Sequence, residues 1–200
     1  MKKVWRRVLS SVLTLSMVLG SFSLSGVTAK AEDEVERVNY ALNASVSAND
    51  VEEGCESFWG ADKAVDGIVN RDETTKTSQS RWSTNKDTSI GEKVLTVDLG
   101  EEKTFEEFVI EWERNNVQGF SIQVSSDGDA YETVYAKTTS TNVTVTTKVT
   151  LETPATGRYV KLVVDTYDGG DLSWESISVY EFEIYNVAEV IDDTQVTLDS

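Results

Sequence analysis

The sequence predicts an all-β fold, a β-sandwich or jelly roll, for the part of the chain that follows a short apolar leader. Segments rich in Thr, Val and Tyr, which suit a pleated and half-buried surface, recur along the chain. There is no long apolar stripe with the 3.6-residue period of a helix, and no internal repeat. The 200 residues are enough for one domain with a real core.

Eight segments have the pattern expected of strands. In TFEEFVIEW, the apolar residues Phe108, Ile110 and Trp112 alternate with polar ones, and FSIQVSS alternates in the same way from Phe120. The alternation turns these apolar side chains toward a core. The predicted strands are residues 40–48, 93–99, 105–112, 119–125, 130–136, 141–151, 157–165 and 176–186.

Residues 1–31 have the features of a secretory signal peptide. A basic start and the apolar run VLTLSMVLG precede the small-x-small pattern AKA, which ends at Ala31. Ser and Gly interrupt the apolar run, which disfavours the alternative of a membrane anchor. We therefore expect a secreted protein with a linker over residues 32–37, a single domain over 38–186, and a linker or the start of a further module over 187–200.

The chain is strongly acidic. It has 18 Lys and Arg residues against 35 Asp and Glu residues, and five of the basic residues lie in the leader, so the mature part has a net charge of −22. Such a surface repels nucleic acid and anionic membranes. Solubility outside the cell explains most of this charge, while neutral or cationic ligands and divalent cations remain compatible with it.

Cysteine and histidine usage narrows the chemistry further. The one cysteine, Cys55, cannot form an internal disulfide, and no activating neighbour is evident, so we expect an inert thiol. There is no histidine, which excludes His-based catalytic triads and the usual zinc sites.

The strand pattern breaks in SISVYEFEIY, where the apolar residues change parity between Val179 and Tyr180. In a regular strand Glu181 would share a face with Ile177 and Val179. Either a β-bulge shifts the register and leaves Glu181 on the surface, or its carboxylate is buried and needs a partner or a metal. An Asp-Gly turn in ADKAVDG places a second carboxylate, that of Asp66, where it can offer oxygen atoms to a hard cation.

Seven fragments occur in a recognisable order: ALNASVSANDVEEG, ADKAVDG, SRW, LTVDLGEEKTFEEFVIEWE, FSIQVSSDG, GRYVKL and SVYEFEIY. Together they resemble the coagulation factor 5/8 type C (discoidin) domain, and most of all the bacterial members grouped as family 32 carbohydrate-binding modules. The resemblance covers about residues 38–186. It implies an eight-stranded antiparallel jelly-roll sandwich of the galactose-binding-domain type, with its termini at one end and ligand-binding loops at the other.

By this resemblance the loops at the far end are residues 48–62, 82–92, 112–119 and 166–177. Sugar sites combine an aromatic platform with planar side chains that donate several hydrogen bonds, and an Arg fork can reach two neighbouring hydroxyls. The predicted ligand-binding residues are Glu52, Trp59, Arg114, Asn115, Asn116, Tyr167 and Trp174.

Two alternatives apply to these residues. Trp174, in a Gly-flanked loop, is the preferred platform; Trp59 is the second candidate, or instead a core residue with Phe58 exposed. Arg114 either faces a sugar or pairs with an acid such as Glu113, a contact that would add little stability.

The family also carries a structural calcium ion in many of its members. The insert NRDETTKTSQ follows Asp66 and leaves Thr77 or Ser78 as alternatives to Ser80 in the ligand set. Oxygen-only ligands suit calcium. The positions that match the family pattern are the carbonyls of Lys63, Ile68 and Tyr180 and the side chains of Asp66, Ser80 and Glu181.

The resemblance therefore implies a non-catalytic carbohydrate-binding module with a glycan as its partner, tethering catalytic modules of the same parent protein. We expect a monomer, no nucleic-acid partner, and no membrane insertion, because the loop tips are polar and acidic. A discoidin-type adhesion or protein-binding domain is the main alternative. A glycoside hydrolase would need only two carboxylates, but the sequence singles out no such pair.

Overall fold

Antiparallel strands form the framework of the residues that the computed structural model describes, which are 37–75, 77–86, 91–168 and 176–186. All of them belong to one unit of the chain, Val35–Ser200. Within them, α1 (Glu56–Trp59) and a 3₁₀ helix (Ala61–Ala64) have four residues each, and no helix is long and apolar enough to span a membrane. The strands are β1 (Ser45–Ala48), β2 (Trp82–Ser83), β3 (Lys93–Trp112), β4 (Val117–Ser125), β5 (Glu132–Lys137), β6 (Thr146–Tyr167) and β7 (Ser178–Asn186).

Every strand pairing in the described part of the chain is antiparallel, in the order β2-β7-β3-β6-β4-β5, with β1 added to β3. The two long strands pass from one layer to the other. The first half of β3 pairs with β1 and the end of β6, and its second half pairs with β7 and the start of β6. The predicted all-β sandwich is confirmed, as an open antiparallel sandwich.

The passage of β3 between layers merges two predicted strands into one. Residues 93–99 and 105–112 form a single strand because pairing with β6 resumes at Lys103↔Gly157, directly after the bend. The register shifts on both sides of this pair. Exposed acidic residues fill the bend, so the alternation stops there although the strand does not.

The predicted strands 141–151 and 157–165 also merge, into β6, which begins only at Thr146. Pro154 lies in the register shift between the paired residues Thr150 and Ala155, where its missing N–H removes no ladder bond. At the other boundaries, β1 begins at Ser45 rather than residue 40, because a turn precedes it. The two-residue β2 was not predicted, since two residues show no periodicity.

Aromatic rings form much of the core between the layers. Phe108 stacks on Phe182 with ring centroids 6.1 Å apart, and Trp112 meets the edge of Phe120 at 5.8 Å. Trp82 and Trp112 are fully buried, as their positions in the pattern predicted. The loop between β3 and β4 therefore leaves the core at the buried Trp112 and returns to it at the buried Val117.

The two ends of the described domain lie together. The backbone N–H of Val38 donates to Oδ1 of Asn186 at 2.8 Å, and a β-bridge joins Asn39 to Tyr185. β7 runs from these residues to Ser178, roughly 27 Å away at about 3.3 Å per residue. The connections that follow β3 and precede β7 are therefore at the opposite end from the termini.

A buried ion pair fastens the connection after β1 to the start of β3. The side chains of Asp50 and Lys93 are 1% and 0% exposed. Asp50 also accepts a hydrogen bond from the Asn85 side chain at 2.8 Å, and its carbonyl accepts one from the Trp82 indole at 2.8 Å. Because both charges are desolvated, each depends on the other, and the segment that carries Glu52 is held in one position.

Replacing Lys93 by Met should destabilise the domain by about 3–5 kcal/mol, because Asp50 would be left as an uncompensated buried charge. The double variant Lys93→Met/Asp50→Leu should recover most of that loss. Urea unfolding of the three proteins measures the effect. Lys103→Met, which removes the exposed partner of Glu101, is the control and should leave the midpoint unchanged. A double variant no more stable than Lys93→Met would contradict the assignment.

Candidate functional site

Four connections meet at the end of the sandwich opposite the termini. Backbone hydrogen bonds join them: Glu52 N–H to the Ser83 carbonyl at 2.8 Å, Glu113 N–H to the Ser178 carbonyl at 2.9 Å, and Asp168 N–H to the Asn116 carbonyl at 2.8 Å. These connections lie in the four loop regions that the sequence predicted. Because the bonds are between backbone groups, the relative positions of the described parts of these loops do not depend on side-chain packing alone.

A pocket of about 180 Å³ lies among these loops. Three of the predicted ligand-binding residues, Glu52, Trp59 and Arg114, contribute to its wall although they are far apart in sequence. It is large enough for a single small ring with polar substituents. Among the described residues, the lining is Glu52, Trp59, Arg81, Ser83, Glu113, Arg114, Ser176 and Ser178.

Arg114 is the most accessible cation of this pocket. Its side chain is 41% exposed, and its Nε lies 3.9 Å from a carboxylate oxygen of Glu113, at the outer limit of an ion pair. The predicted alternative was that Arg114 pairs with a neighbouring acid. The structure shows only a long contact of this kind, with Glu113. A guanidinium offers five N–H donors, so an accessible Arg at this position suits the recognition of a polar ligand.

Trp59 is a wall of the pocket rather than an open platform. It is 5% exposed, and the Arg81 guanidinium covers its ring at 4.0 Å from the centroid. The Phe58 ring meets it edge-on at 5.6 Å and is itself half-buried. The face of Trp59 that a sugar would stack on is occupied by Arg81, so the alternative of a core residue describes Trp59 better.

The other predicted ligand residues that the structure describes do not line this pocket. Asn116 has a structural role, since its side chain donates to the Ser176 carbonyl at 3.0 Å and so ties two loops together. Asn115 is exposed beside it, and Tyr167 packs partly against the core. Trp174 lies outside the described residues, and its role as the platform stays a prediction.

Sequence reasoning missed Arg81, Glu113 and three serines of the lining. Arg81 is 6% exposed, and its guanidinium lies 3.5 Å from Glu113, which thus sits between two arginines. A period-two signal was available: Arg81 and Ser83 flank the buried Trp82, and Ser176 and Ser178 flank the buried Ile177. Such alternation places each pair on the face opposite a core residue.

A second polar site lies on the same strand, β7, where the predicted irregularity occurs. Glu111 pairs with Glu181 and Trp112 pairs with Val179, so Tyr180 is an extra residue in the ladder. This is the β-bulge that the parity change predicted. The alternative that the bulge leaves Glu181 on the surface is wrong, because Glu181 is 1% exposed.

The Asp-Gly turn provides the partners of Glu181. Gly67 has φ +80°, which a side chain would strain. Its N–H donates to Oε1 of Glu181 at 2.8 Å, and that of Ile68 donates to the same oxygen at 3.2 Å. The Asp66 carboxylate accepts a hydrogen bond from the Ser80 hydroxyl. Glu181 Oε2 is buried and has no hydrogen-bond partner in the described part of the chain.

Burial and the nearby Asp66 carboxylate raise the pKa of Glu181 well above its usual range, against the opposing effect of the two N–H groups. A buried carboxylate with one unsatisfied oxygen beside a second carboxylate is an arrangement that a hard cation would satisfy. In the described residues no group of three or more His, Cys, Asp or Glu side chains is close enough to hold a metal, so main-chain carbonyls and Ser80 would have to complete the set.

The insert after Asp66 brings the hydroxyl of Ser80, rather than that of Ser78, to the Asp66 carboxylate. The Asn70 side chain accepts from the Ser80 N–H at 3.0 Å and donates to the Ser78 carbonyl at 2.5 Å, which folds the insert back on itself. The Ser78 hydroxyl bonds to Glu73 at 3.1 Å rather than to Asp66. The side chain that reaches Asp66 is therefore that of Ser80, as the family pattern implied.

Comparison with known proteins agrees with this architecture. Residues 43–181 match the F5/8 type C domain. The chain belongs to this family. Its solved relatives include chitosan-binding module 1 of a chitosanase/glucanase from Paenibacillus sp. IK-5, which is 25% identical, with a TM-score of 0.58 over 74% of this chain and 99% of the module.

Two further relatives are informative. The family 32 carbohydrate-binding module of NanJ from Clostridium perfringens, solved with galactose, shares the fold at 21% identity, with a TM-score of 0.57 over 76% of this chain and all of the module. The polysaccharide lyase 8 family protein HylA of Enterococcus faecalis is 30% identical over 182 residues. That alignment covers 87% of this chain but 12% of HylA. The F5/8 type C domain described here thus resembles carbohydrate-binding modules.

Truncating Trp59 and truncating Arg114, two residues of the pocket wall, should change the stability of the domain by different amounts. Trp59→Ala should destabilise the domain by about 3–5 kcal/mol, because a buried ring is removed. Arg114→Ala should change stability by less than about 0.5 kcal/mol, because it removes one long and exposed contact. Thermal unfolding followed by circular dichroism measures both. Equal losses would show that Arg114 is a structural residue.

Proposed function

We propose that this chain is a secreted, non-catalytic carbohydrate-binding module that tethers its parent protein to glycans through the loop end of the sandwich. The observation that carries the proposal is the pocket in which Glu52, Arg81, Glu113 and Arg114 surround a space of about 180 Å³. Its size suits one sugar residue, and the likeness to carbohydrate-binding modules covers the whole of their fold.

The chemistry of the pocket favours a polar ring with hydroxyl or amino substituents. Arg114 can donate to two neighbouring hydroxyls, and Glu52 can accept from a hydroxyl or an ammonium group. Exposed acids, Glu53 and Glu56, lie near Glu52 in the same loop. Together with the acidic chain, they favour a neutral or cationic sugar over an anionic one. The relative that binds chitosan, a polymer with free amines, makes chitotriose a reasonable first ligand to test.

Binding at a single pocket of this size would be weak. Weak binding still suits a tethering role, because a parent protein with several linked modules holds each unbound module close to the glycan and so raises its effective concentration there. The Enterococcus relative, in which the aligned region is a small part of a longer protein, supports this modular role. Trp174 remains the proposed aromatic platform.

A structural calcium ion is part of the proposal. Its ligands would be the side chains of Asp66, Glu181 and Ser80 with the carbonyls of Lys63, Ile68 and Tyr180. The buried and unsatisfied Oε2 of Glu181 supports this assignment. Bound there, a cation would neutralise two carboxylates and fix the bulge of β7 against the Asp-Gly turn.

Arg114→Ala should weaken binding to chitotriose or to the glycans that an array selects by at least about tenfold, equivalent to one lost charge-assisted hydrogen-bond pair. Glu52→Gln should also weaken binding, most of all for amino sugars. Arg158→Ala is the matched control, because Arg158 is 39% exposed and pairs with Asp98 away from the pocket. Normal binding by Arg114→Ala, or no glycan bound by the native protein, would reject the proposed site.

Calcium chloride should raise the melting temperature of the native domain by about 5–10 °C over the value in EGTA, if calcium is present at about 100 times its Kd. Glu181→Gln should abolish this shift. In EGTA the same variant should be more stable than the native protein, because an amide avoids burying a second charge beside Asp66. Glu183→Gln, two residues along the strand, is the control and should keep the shift. A melting temperature that is the same in both buffers would exclude the ion.

A further inference from the structure

The two polar sites are joined by residues close in sequence, in the segment just before β2 and on β7. Ser80 bonds to Asp66, while the next residue, Arg81, lines the pocket. Glu181 faces the same carboxylate site, while Ser178, on the other side of the bulge, lines the pocket. Successive Cα atoms are about 3.8 Å apart. A displacement of the backbone at Ser80 therefore also moves the backbone of Arg81.

Arg81 is the most constrained of these residues. Its side chain is 7% exposed, stacks on Trp59 at 4.0 Å, and lies 3.5 Å from Glu113. It also donates to the Gln79 side chain, and Gln79 in turn donates to the Glu73 carbonyl at 2.8 Å inside the insert. Arg81 therefore contacts both the insert that brings Ser80 to Asp66 and the wall of the pocket.

Tyr180 provides a second connection. It is the extra residue of the bulge, beside Glu181, and its ring is 2% exposed. The Arg81 guanidinium is near enough to its phenol to lower the pKa of Tyr180, partly offsetting the rise that burial causes. The bulge that carries Glu181 thus also places the Tyr180 ring near the Arg81 guanidinium.

Glu113 connects Arg81 to Arg114, the accessible cation of the pocket. One of its carboxylate oxygens lies 3.5 Å from Arg81, and the other lies 3.9 Å from Nε of Arg114. A shift of Arg81 would move the carboxylate, and with it the preferred position of Arg114. At the pocket, this path consists of two contacts among three charged groups, Arg81, Glu113 and Arg114.

We propose that Arg81 is a positioning residue that links the two sites, so that a divalent cation between Asp66 and Glu181 tightens glycan binding in the pocket. The inference rests on the proposed function. A cation that holds Asp66 fixes Ser80 and the backbone of Arg81, which aligns the Arg81–Glu113–Arg114 series before a ligand arrives. Linkage is reciprocal, so bound glycan raises the affinity for the cation by the same factor.

The test measures chitotriose binding to the full chain by calorimetry, in excess calcium chloride and in excess EGTA. We expect calcium to tighten binding by about tenfold, within the usual range of coupling between sites. Saturating chitotriose should lower the Kd for calcium by the same factor. A chitotriose Kd that agrees within twofold in the two buffers would overturn the linkage while leaving the proposed function intact.

Two variants separate positioning from a general loss of structure. Ser80→Ala should bind chitotriose as the native protein does in EGTA, and should gain little from calcium. Arg81→Met, whose stem can still cover Trp59, should bind calcium but show the same weak chitotriose affinity in both buffers. Melting temperatures report whether each variant is folded. A Ser80→Ala protein with the full calcium effect, or an Arg81→Met protein that retains it, would overturn the role assigned to these residues.

A third measurement needs no glycan. Calcium should shift the Nε–Hε resonance of Arg81, whose Nε is buried and has no hydrogen-bond partner in the described part of the chain. The matched resonance of Arg158, whose Nε donates to Asp98 at 2.7 Å on another part of the surface, should not move. If chitotriose binds in neither buffer, the proposed ligand class is wrong. The Arg81 resonance then tests whether the cation site is coupled to the pocket. An Arg81 signal that calcium leaves unchanged would overturn it.

Discussion

One extra residue in β7 sets the positions of both polar sites. Because Tyr180 is added to the ladder with β3, the side chains before it and after it change faces without ending the strand. Ser178 remains at the wall of the pocket, and Glu181 lies on the same face of β7, opposite the buried Phe182, where the Asp-Gly turn at Asp66 covers it. A regular strand could not place both residues there, because residues three positions apart lie on opposite faces. The bulge thus places two kinds of chemistry on nine residues of strand.

Backbone contacts also hold the loop end of the sandwich together. Hydrogen bonds between main-chain groups join the four connections. The buried Lys93–Asp50 pair holds the connection that follows β1 against the start of β3. Side chains such as Arg114 are then free to vary in kind without changing the frame. This separation of frame and ligand-facing residues explains how one fold can serve different ligands within a family, and why fold alone does not name the ligand.

The sequence predicted much of this arrangement and missed parts of it for physical reasons. Alternation located the strands, but not the bends through which β3 and β6 cross between layers, because the side-chain pattern stops at each bend while strand pairing resumes beyond it. The family pattern brought Glu52 and Arg114 to one pocket. It did not reveal that Arg81 would cover Trp59, since contacts between residues 22 positions apart leave no local signal. The platform role of Trp174 is still open.

The sequence by itself determined the fold class, the aromatic core and the irregularity at Glu181, because each of these follows from the order of apolar and polar residues along one strand. Only the tertiary structure decided that Glu181 is buried beside Asp66, that Ser80 rather than Ser78 reaches that carboxylate, and that Glu113 lies between two arginines. These outcomes depend on distances between separate loops. Such distances are set by packing and by long-range hydrogen bonds, which no stretch of sequence contains.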